Sequence, residues 1–152
     1  MKKLLFIPLV FALASCSDGS GPESENFASA LNVDLAAMTK TASGLYYQDL
    51  TVGAGAEATA GSTVLVHYTG WLANGTEFDS NQEPSAPFTF ELGSNYTIDG
   101  FDEGVTGMRE GGTRKLVIPS SLGYGIGGFP PRIPAEATLV FDVELVEVVS
   151  EE

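Results

Sequence analysis

The stretch HYTGWLANGTEFDS, residues 67–80, gathers side chains that could take part in chemistry. It holds one histidine, three further aromatic residues and the carboxylate of Asp79. Enzymes that break covalent bonds use a nucleophile with a base beside it, a pair of acids or a metal ion. No nucleophile–base pair, no metal-ligand cluster and no acid pair in an obvious apolar pocket accompanies the stretch, which points to chemistry that needs aromatic walls and the carboxylate of Asp79.

The common catalytic constellations find no support elsewhere in the chain. Cys16 is the only cysteine and His67 the only histidine, which disfavours a zinc site or a Cys–His dyad. A Ser–His–Asp triad would have to use His67, which lies in an apolar strand and is better interpreted as a satisfied core histidine. No carboxylate pair lies in an obvious apolar pocket, with Asp79 the nearest candidate, so a glycosidase-type pair has no positive support.

The glycine-rich stretch GYGIGG, residues 123–128, matches the spacing of a dinucleotide-binding turn. That motif must open a helix, whereas FPPRIP follows here and its prolines cannot start one in the required way. We interpret the stretch as a long loop, and we expect no cofactor and no metal.

The charge of the chain excludes one class of partner. The 152 residues carry 20 acidic and 7 basic side chains, a formal charge of −13. A nucleic-acid binder needs a basic patch, so no nucleic-acid partner is expected. The acidity is typical of a soluble domain with weak nonspecific contacts.

The first fifteen residues predict a signal peptide. A short basic start, MKK, precedes LLFIPLVFALA, an apolar run too short for a comfortable membrane span. LASC, residues 13–16, resembles the lipobox of bacterial lipoproteins, which implies cleavage before Cys16 and acylation of that cysteine, with palmitate among the expected acyl groups. Ser17 then favours the outer membrane, facing the periplasm. The alternative is a plain secretory signal with an incidental cysteine.

The rest of the chain predicts a tether and lead-in over residues 16–40 and one domain over residues 41–152. Ser17–Asn26 is small, polar and acidic, as in a flexible tether. Phe27–Lys40 has apolar residues at helical spacing and fits either a short helix or an ordered lead-in. A helical dimerisation arm is disfavoured by its shortness, so we expect a monomer.

The domain pattern is mostly that of strands. Alternation and β-rich composition predict strands within residues 44–53, 62–72, 87–92, 113–119 and 137–149. Asn74–Gly75 predicts a hairpin turn, because both residues tolerate positive φ. Ile98, Phe101, Val105 and Met108 have helical spacing, which predicts a helix over about 99–107 with Asp99 as its cap. Antiparallel strands with one buried helix place the fold in the α+β class.

Five collinear segments together resemble the FKBP-type peptidyl-prolyl cis-trans isomerases. They are VHYTGWLANGTEFDS, PFTFELG, IDGFDEGVTGM, GGTRKLVIPSSLGYG and IPAEATLVFDVEL, and the likeness covers roughly residues 44–148. The resemblance implies an antiparallel sheet of five or six strands wrapped around the short helix, with a proline-binding pocket between them. It also implies proline-containing polypeptide clients and macrolide pocket ligands.

The resemblance assigns the pocket residues by position. The implied catalytic residues are Tyr68, Phe78, Asp79, Tyr124 and Phe141. The implied substrate-binding residues are Phe88, Thr97, Ile98, Phe101, Phe129 and Ile133. Phe101 would form the floor, and the Ile98 N–H and the Tyr124 hydroxyl would hold carbonyl groups of the bound peptide.

This chain departs from its relatives at three places. Many members have tryptophan where Phe101 stands, so the floor is smaller here. Others have an arginine at the position of Pro84 that pairs with the equivalent of Asp79. Phe129 and Arg132 also differ, which should alter substrate preference. The sequence therefore predicts an isomerase of X–Pro bonds in extracytoplasmic proteins, and the alternative is a lipid-anchored chaperone or adaptor with weak or no isomerase activity.

Overall fold

The computed structural model describes residues 21–149. The predicted signal peptide and Cys16, with the predicted lipid anchor, lie outside the described residues. No helix in the described part has the length and apolar character of a membrane span. The elements follow in the order β1 (Thr39–Lys40), β2 (Tyr46–Thr51), β3 (Thr63–Leu72), β4 (Glu77–Asn81), β5 (Phe88–Glu91), α1 (Asp99–Val105), β6 (Thr113–Ile118) and β7 (Leu139–Val149).

The strands form one antiparallel sheet in the order β1-β2-β6-β7-β3-β4. Strand β5 also pairs with β3, alongside its first half, whereas β4 pairs with its second half. The predicted α+β class is confirmed. The sheet has seven strands rather than five or six, because the two-residue β1 is added at one edge.

Helix α1 packs against the inner face of the sheet, and two glycines allow the close approach. A Cβ on Gly100 would lie 2.4 Å from Cγ2 of Ile118, and one on Gly104 would lie 2.5 Å from Cδ1 of Leu116. Both contacts are shorter than side-chain packing permits, so β6 can lie this close only to bare backbone.

The two ends of α1 differ from their prediction. The helix ends at Val105 rather than near residue 107, and Gly107 has φ of +91°, which does not continue a helix. Ile98 holds the N-cap position without a side-chain cap bond. Asp99 is therefore the first helical residue rather than the cap, a place where its charge still favours the helix dipole.

Arg114 of β6 fastens the C-terminal end of α1. Its Nη1 donates to the carbonyl oxygens of Gly104 at 3.0 Å and Thr106 at 3.4 Å. Its Nε donates to Oδ1 of Asp49 at 2.7 Å, and its guanidinium lies 4.7 Å from the Tyr47 ring centroid. The carbonyls of a last helical turn lack partners within the helix, so this side chain both satisfies and anchors them.

The main core lies between α1 and the inner face of the sheet. Strand β7 shows the predicted alternation, since Leu139, Phe141, Val143 and Leu145 are all buried in it. The neighbouring strand contributes Leu116 and Ile118, and the helix contributes Phe101 and Val105.

Residues 27–38 pack on the outer face of the sheet as an ordered lead-in. They form two 3-10 turns, Ser29–Leu31 and Leu35–Ala37, instead of an α-helix. Leu31 and Met38 are buried with three sheet residues in a second cluster, and the half-buried Trp71 packs against it. The apolar spacing is therefore explained by contacts with the sheet.

Residues 21–26 are not the flexible tether that their composition predicts. Pro22 is buried at the start of a 3-10 turn, Pro22–Ser24. Oε1 of Glu23 accepts hydrogen bonds from Nζ of Lys40 and from the Tyr46 hydroxyl, each at 2.5 Å. These bonds lower the pKa of Glu23 to about 2. Two polar contacts with residues distant in the chain thus hold a segment whose composition alone predicts flexibility.

Candidate functional site

A cavity of about 460 Å³ opens between α1 and the inner face of the sheet. Nine of the eleven residues assigned to the pocket by resemblance line it: Tyr68, Phe78, Asp79, Phe88, Thr97, Ile98, Phe101, Tyr124 and Phe141. Asn95 and Tyr96 complete the lining. The walls are thus largely aromatic, and the polar groups are few.

Strands and the helix position most of the side chains that line the cavity. Strand β3 carries Tyr68, β7 carries Phe141, and α1 places the buried Phe101 at the base. The hairpin after β3 returns the chain so that β4 brings Phe78 and Asp79 to the cavity.

The hairpin turn forms at Asn74–Gly75 as predicted, although the two residues act differently. Gly75 has φ of +91°, whereas Asn74 has no positive φ and its Oδ1 accepts a hydrogen bond from the Thr76 N–H at 3.0 Å. The N–H of Leu72 donates to the Thr76 carbonyl at 2.8 Å and closes the loop. An Asn side chain that bonds two residues ahead fixes such a turn without left-handed backbone of its own.

The aromatic rings of the walls meet mostly edge to face. Tyr68 lies with its ring centroid 5.5 Å from Phe101 and 5.7 Å from Phe88, at steep interplanar angles. Phe141 lies 5.3 Å from Phe101 and 5.5 Å from Phe78. Such pairs contribute about 0.5–1.5 kcal/mol each beyond their buried area, so the rings hold one another in place.

One hydrogen bond organises the polar side of the cavity. The Tyr68 hydroxyl donates to Oδ2 of Asp79 at 2.8 Å. Burial, followed by this hydrogen bond and the charge of Asp79, raises the pKa of Tyr68 far above its ordinary value. Burial and the charge of Asp79 also raise the pKa of Tyr124. Both hydroxyls therefore keep their protons at neutral pH and serve as donors.

Two donors that the resemblance singled out are positioned to hold a peptide. The Ile98 N–H makes no hydrogen bond with the residues the structure describes, because Ile98 precedes the first helical turn. The Tyr124 hydroxyl likewise has no hydrogen-bond partner in the described part of the chain, and the residue is 39% exposed at the rim. Both residues line the cavity, so their donors are available to an entering carbonyl group.

A glycine in β3 shapes the walls of the cavity. Gly70 of β3 is buried, and a Cβ there would lie 2.7 Å from both Cε1 of Phe141 and Cζ of Phe78. The two rings therefore rest on the bare backbone of the strand. A lone glycine inside a strand pattern often marks such a close approach, and this signal was present in the sequence.

Two assigned residues lie outside the cavity lining. Ile133 is buried in the main core, where its N–H and carbonyl form an isolated bridge with Phe129. Phe129 is 58% exposed, and its ring lies 5.7 Å from that of Tyr124. Neither lines the cavity here, since the loop turns Phe129 to the rim and Ile133 into the core, and their assignment as substrate-binding residues stays a prediction.

His67 and Trp71 lie on the other side of the sheet from the cavity. His67 is half-buried on β3, and its Nδ1 is buried without a hydrogen-bond partner among the described residues. The histidine is therefore half-buried on a sheet strand rather than fully buried in the core as the sequence indicated. Neither residue belongs to the cavity, and the described residues hold no cluster of three or more metal-ligating side chains.

Comparison with known proteins gives consistent results over this region. The sequence model of the FKBP-type peptidyl-prolyl cis-trans isomerase family matches residues 55–146. The FK506-binding protein of Neisseria meningitidis serogroup B is 53% identical over 105 residues, which cover 69% of this chain and 96% of that protein. Human peptidyl-prolyl cis-trans isomerase FKBP2 is 56% identical over 88 residues, 58% of this chain and 62% of that protein.

Solved structures of the same kind superpose on the described fold. The crystal structure of AtFKBP13 has a TM-score of 0.68 and 36% identity, covering 74% of this chain and 98% of that chain. The crystal structure of FkpA from Escherichia coli has a TM-score of 0.67 and 41% identity, covering 74% of this chain and 51% of that chain.

Proposed function

The chain belongs to the FKBP-type peptidyl-prolyl cis-trans isomerase family and is a peptidyl-prolyl isomerase, and we propose that it turns X–Pro bonds of exported polypeptides and assists their folding outside the cytoplasm. The observation that carries the chemistry is the cavity walled by Tyr68, Phe78, Phe101 and Phe141, with Asp79 held by Tyr68 at its polar side.

The reaction needs no bond to be broken. An X–Pro bond has a small cis/trans preference but a rotation barrier of about 18–20 kcal/mol, part of which is amide resonance. The planar amide is more polar than the twisted transition state, so an apolar, water-poor cavity disfavours the ground state more. Aromatic walls lower the barrier in this way without a nucleophile or a base.

The fixed donors hold the peptide while the bond turns. The Ile98 N–H and the Tyr124 hydroxyl bind carbonyl groups flanking the proline, which leaves rotation about one bond as the free motion. Asp79 keeps the Tyr68 ring oriented against the proline ring through the 2.8 Å hydrogen bond.

A protease-coupled assay on a proline peptide tests this proposal. We expect turnover by the wild-type chain, inhibition by a macrolide that fills the cavity, and a loss of kcat/KM in Phe141→Tyr, which adds a hydroxyl to a ring that is 5% exposed. The exposed Val52→Thr serves as the matched control that leaves turnover unchanged. Wild-type turnover that a saturating macrolide leaves unaffected would contradict the cavity as the site.

The location outside the cytoplasm is supported by the sequence. The apolar run after MKK and the LASC segment ending at Cys16 are features of a lipoprotein signal. Acyl chains on Cys16 anchor the protein to a membrane, since each buried CH₂ contributes about 0.8 kcal/mol. Cell fractionation of the full chain with Cys16→Ser tests this, and a variant that stays in the membrane fraction would overturn the anchor.

A second function is favoured by exposed apolar side chains at the rim. Tyr96 lines the cavity and is 71% exposed, and Phe129, 58% exposed, lies against Tyr124 at the rim. Ile126, two residues after Tyr124 in the chain, is 82% exposed. Such side chains suit a chaperone or adaptor that binds unfolded segments with weak catalysis. Aggregation suppression that persists in Phe141→Tyr but is lost in Phe129→Ser would favour this second function.

A further inference from the structure

A second cleft of about 560 Å³ opens beside the proline cavity. Residues 76–80 of the hairpin form one wall, and Pro131 and Arg132 of the loop before β7 form the other. Phe78 and Asp79 line both spaces, so the two adjoin at these residues. A polypeptide whose proline occupies the cavity has room to extend one flank into this cleft.

Arg132 differs from the other basic residues that the structure describes. Lys40, Arg109, Arg114 and Lys115 each form an ion pair with a carboxylate. Arg132 is exposed and forms none with any described residue. In a chain with 20 acidic residues against 7 basic ones, an unpaired guanidinium at the edge of the active site is available to a ligand.

We propose that Arg132 is a specificity-determining residue that selects clients with an acidic side chain near the proline. This inference rests on the proposed function. The guanidinium fork binds a carboxylate with two parallel hydrogen bonds, a geometry that neither an amide nor a hydroxyl of the client can match. The cleft therefore acts as a flanking-residue subsite of the isomerase.

The carboxylates of the opposite wall do not cancel this preference. Asp79 accepts the Tyr68 hydroxyl, and neither Asp79 nor Glu77 is within salt-bridge distance of Arg132. Glu77 is exposed and lowers the local potential, so it opposes an acidic client without occupying the guanidinium. Removing the charge of Glu77 should strengthen the preference that removing Arg132 abolishes.

The test uses matched proline peptides with Glu, Gln or Lys placed one or two residues from the proline on either side. The quantity compared is the ratio of kcat/KM for the Glu peptide to that for the Gln peptide. For at least one placement, we expect Arg132→Gln to lower this ratio about two- to fivefold, the range of an exposed ion pair. Glu77→Gln should raise the ratio, and added salt should reduce it in the wild type.

Arg109→Gln is the control, because Arg109 is half-exposed and lines neither the cavity nor the cleft. Equal ratios in the wild type and Arg132→Gln at every placement overturn the inference while the isomerase stands. An equal loss for all peptides also overturns it, since that marks a contact with the client main chain. Absence of wild-type turnover on the Gln peptides overturns both the inference and the proposed function.

Discussion

The Tyr68 hydroxyl and the Asp79 carboxylate meet at 2.8 Å across the β3–β4 hairpin. Asp79 forms no ion pair with a described residue, and Pro84 stands where other members of the family place an arginine. Tyr68 is therefore the described group that holds the carboxylate. Because Asp79 also acts on the pKa of Tyr124, one charge influences both hydroxyl donors of the cavity.

Asp79→Val should lower isomerase activity while leaving the domain folded. The change leaves the half-buried Tyr68 hydroxyl without its acceptor and frees its ring to move. A hydrogen bond to a charged group contributes about 1.5–3 kcal/mol, so we expect kcat/KM to fall at least about tenfold. The protease-coupled assay measures the loss, and far-UV circular dichroism reports the fold.

Glu144→Gln is the control for the Asp79 variant. Glu144 is an exposed carboxylate on β7. Because side chains alternate between the two faces of a strand, it lies on the face opposite that of the inward-facing Phe141 and Val143. Its neutralisation changes the net charge by the same amount but leaves the cavity intact. Equal activity of Asp79→Val and the control would show that the hydrogen bond does not matter for turnover.

Gly70→Ala should alter the cavity more than the stability of the fold. The new methyl group would lie 2.7 Å from both Phe78 and Phe141, whose ring edges must move to make room. Overpacking of this kind costs about 1–3 kcal/mol, and displaced rings widen the space around the proline. We expect a lower kcat/KM and a modest fall in Tm, measured by the coupled assay and by calorimetry.

Gly127→Ala provides the comparison, since a Cβ there meets nothing within 4 Å. It should leave Tm nearly unchanged. If Gly70→Ala behaves in the same way, then the two rings are not seated on the strand as described.

The sequence predicts the strands well because their patterns are local. The alternation in β7 and β5 reports directly which side chains face the core, and the observed strands differ from the predicted ones by a few residues at their ends. The helix is also local, although its cap is not, because only the path of the chain before the helix places Ile98, and not Asp99, at the N-cap position.

Other features depend on residues far apart in the chain and have no local pattern. Glu23 is held by Lys40 and Tyr46, which are 17 and 23 residues away in the chain. Because these partners are distant, the polar and acidic sequence around Glu23 gives no local sign that the segment is ordered. Of the eleven residues that the resemblance assigned to the pocket, nine line the cavity. Phe129 and Ile133 do not line the cavity, because the bridge between them directs Phe129 to the rim and Ile133 into the core, which no local sequence pattern indicates.

Arg114→Lys should destabilise the domain through the helix that carries the cavity floor. Lysine keeps the charge but cannot reach Asp49 and the carbonyls of Gly104 and Thr106 together. Arg114 is 8% exposed and its bond to the Gly104 carbonyl is buried, so that carbonyl would lose its partner away from water. We expect a fall of about 1–3 kcal/mol in the free energy of unfolding, measured by urea titration.

Arg109→Lys is the matched change at an exposed arginine with one 3.3 Å bond to the Gly55 carbonyl. Surface substitutions of this kind stay within about 0.5 kcal/mol. Similar losses in the two variants would argue that Arg114 does not anchor the helix.

The Glu23 contact should stabilise residues 21–26 against the domain in a pH-dependent way. Hydrogen bonds from Lys40 and Tyr46 lower the pKa of Glu23 from its ordinary value of 4.5 to about 2. A carboxyl with a lowered folded-state pKa contributes stability that is fully present above pH 4.5 and is lost as the pH falls toward 2. Urea unfolding at several pH values should therefore show Glu23→Gln less stable than wild type near pH 6, with the difference shrinking between pH 4.5 and pH 3.

Glu25→Gln is the control, because Glu25 lies two residues along the chain and forms no ion pair with a described residue. Its stability difference from wild type should not shrink in this way as the pH falls. A Glu23→Gln difference that stays constant down to pH 3 would mean that the ionised carboxylate is not what holds the segment.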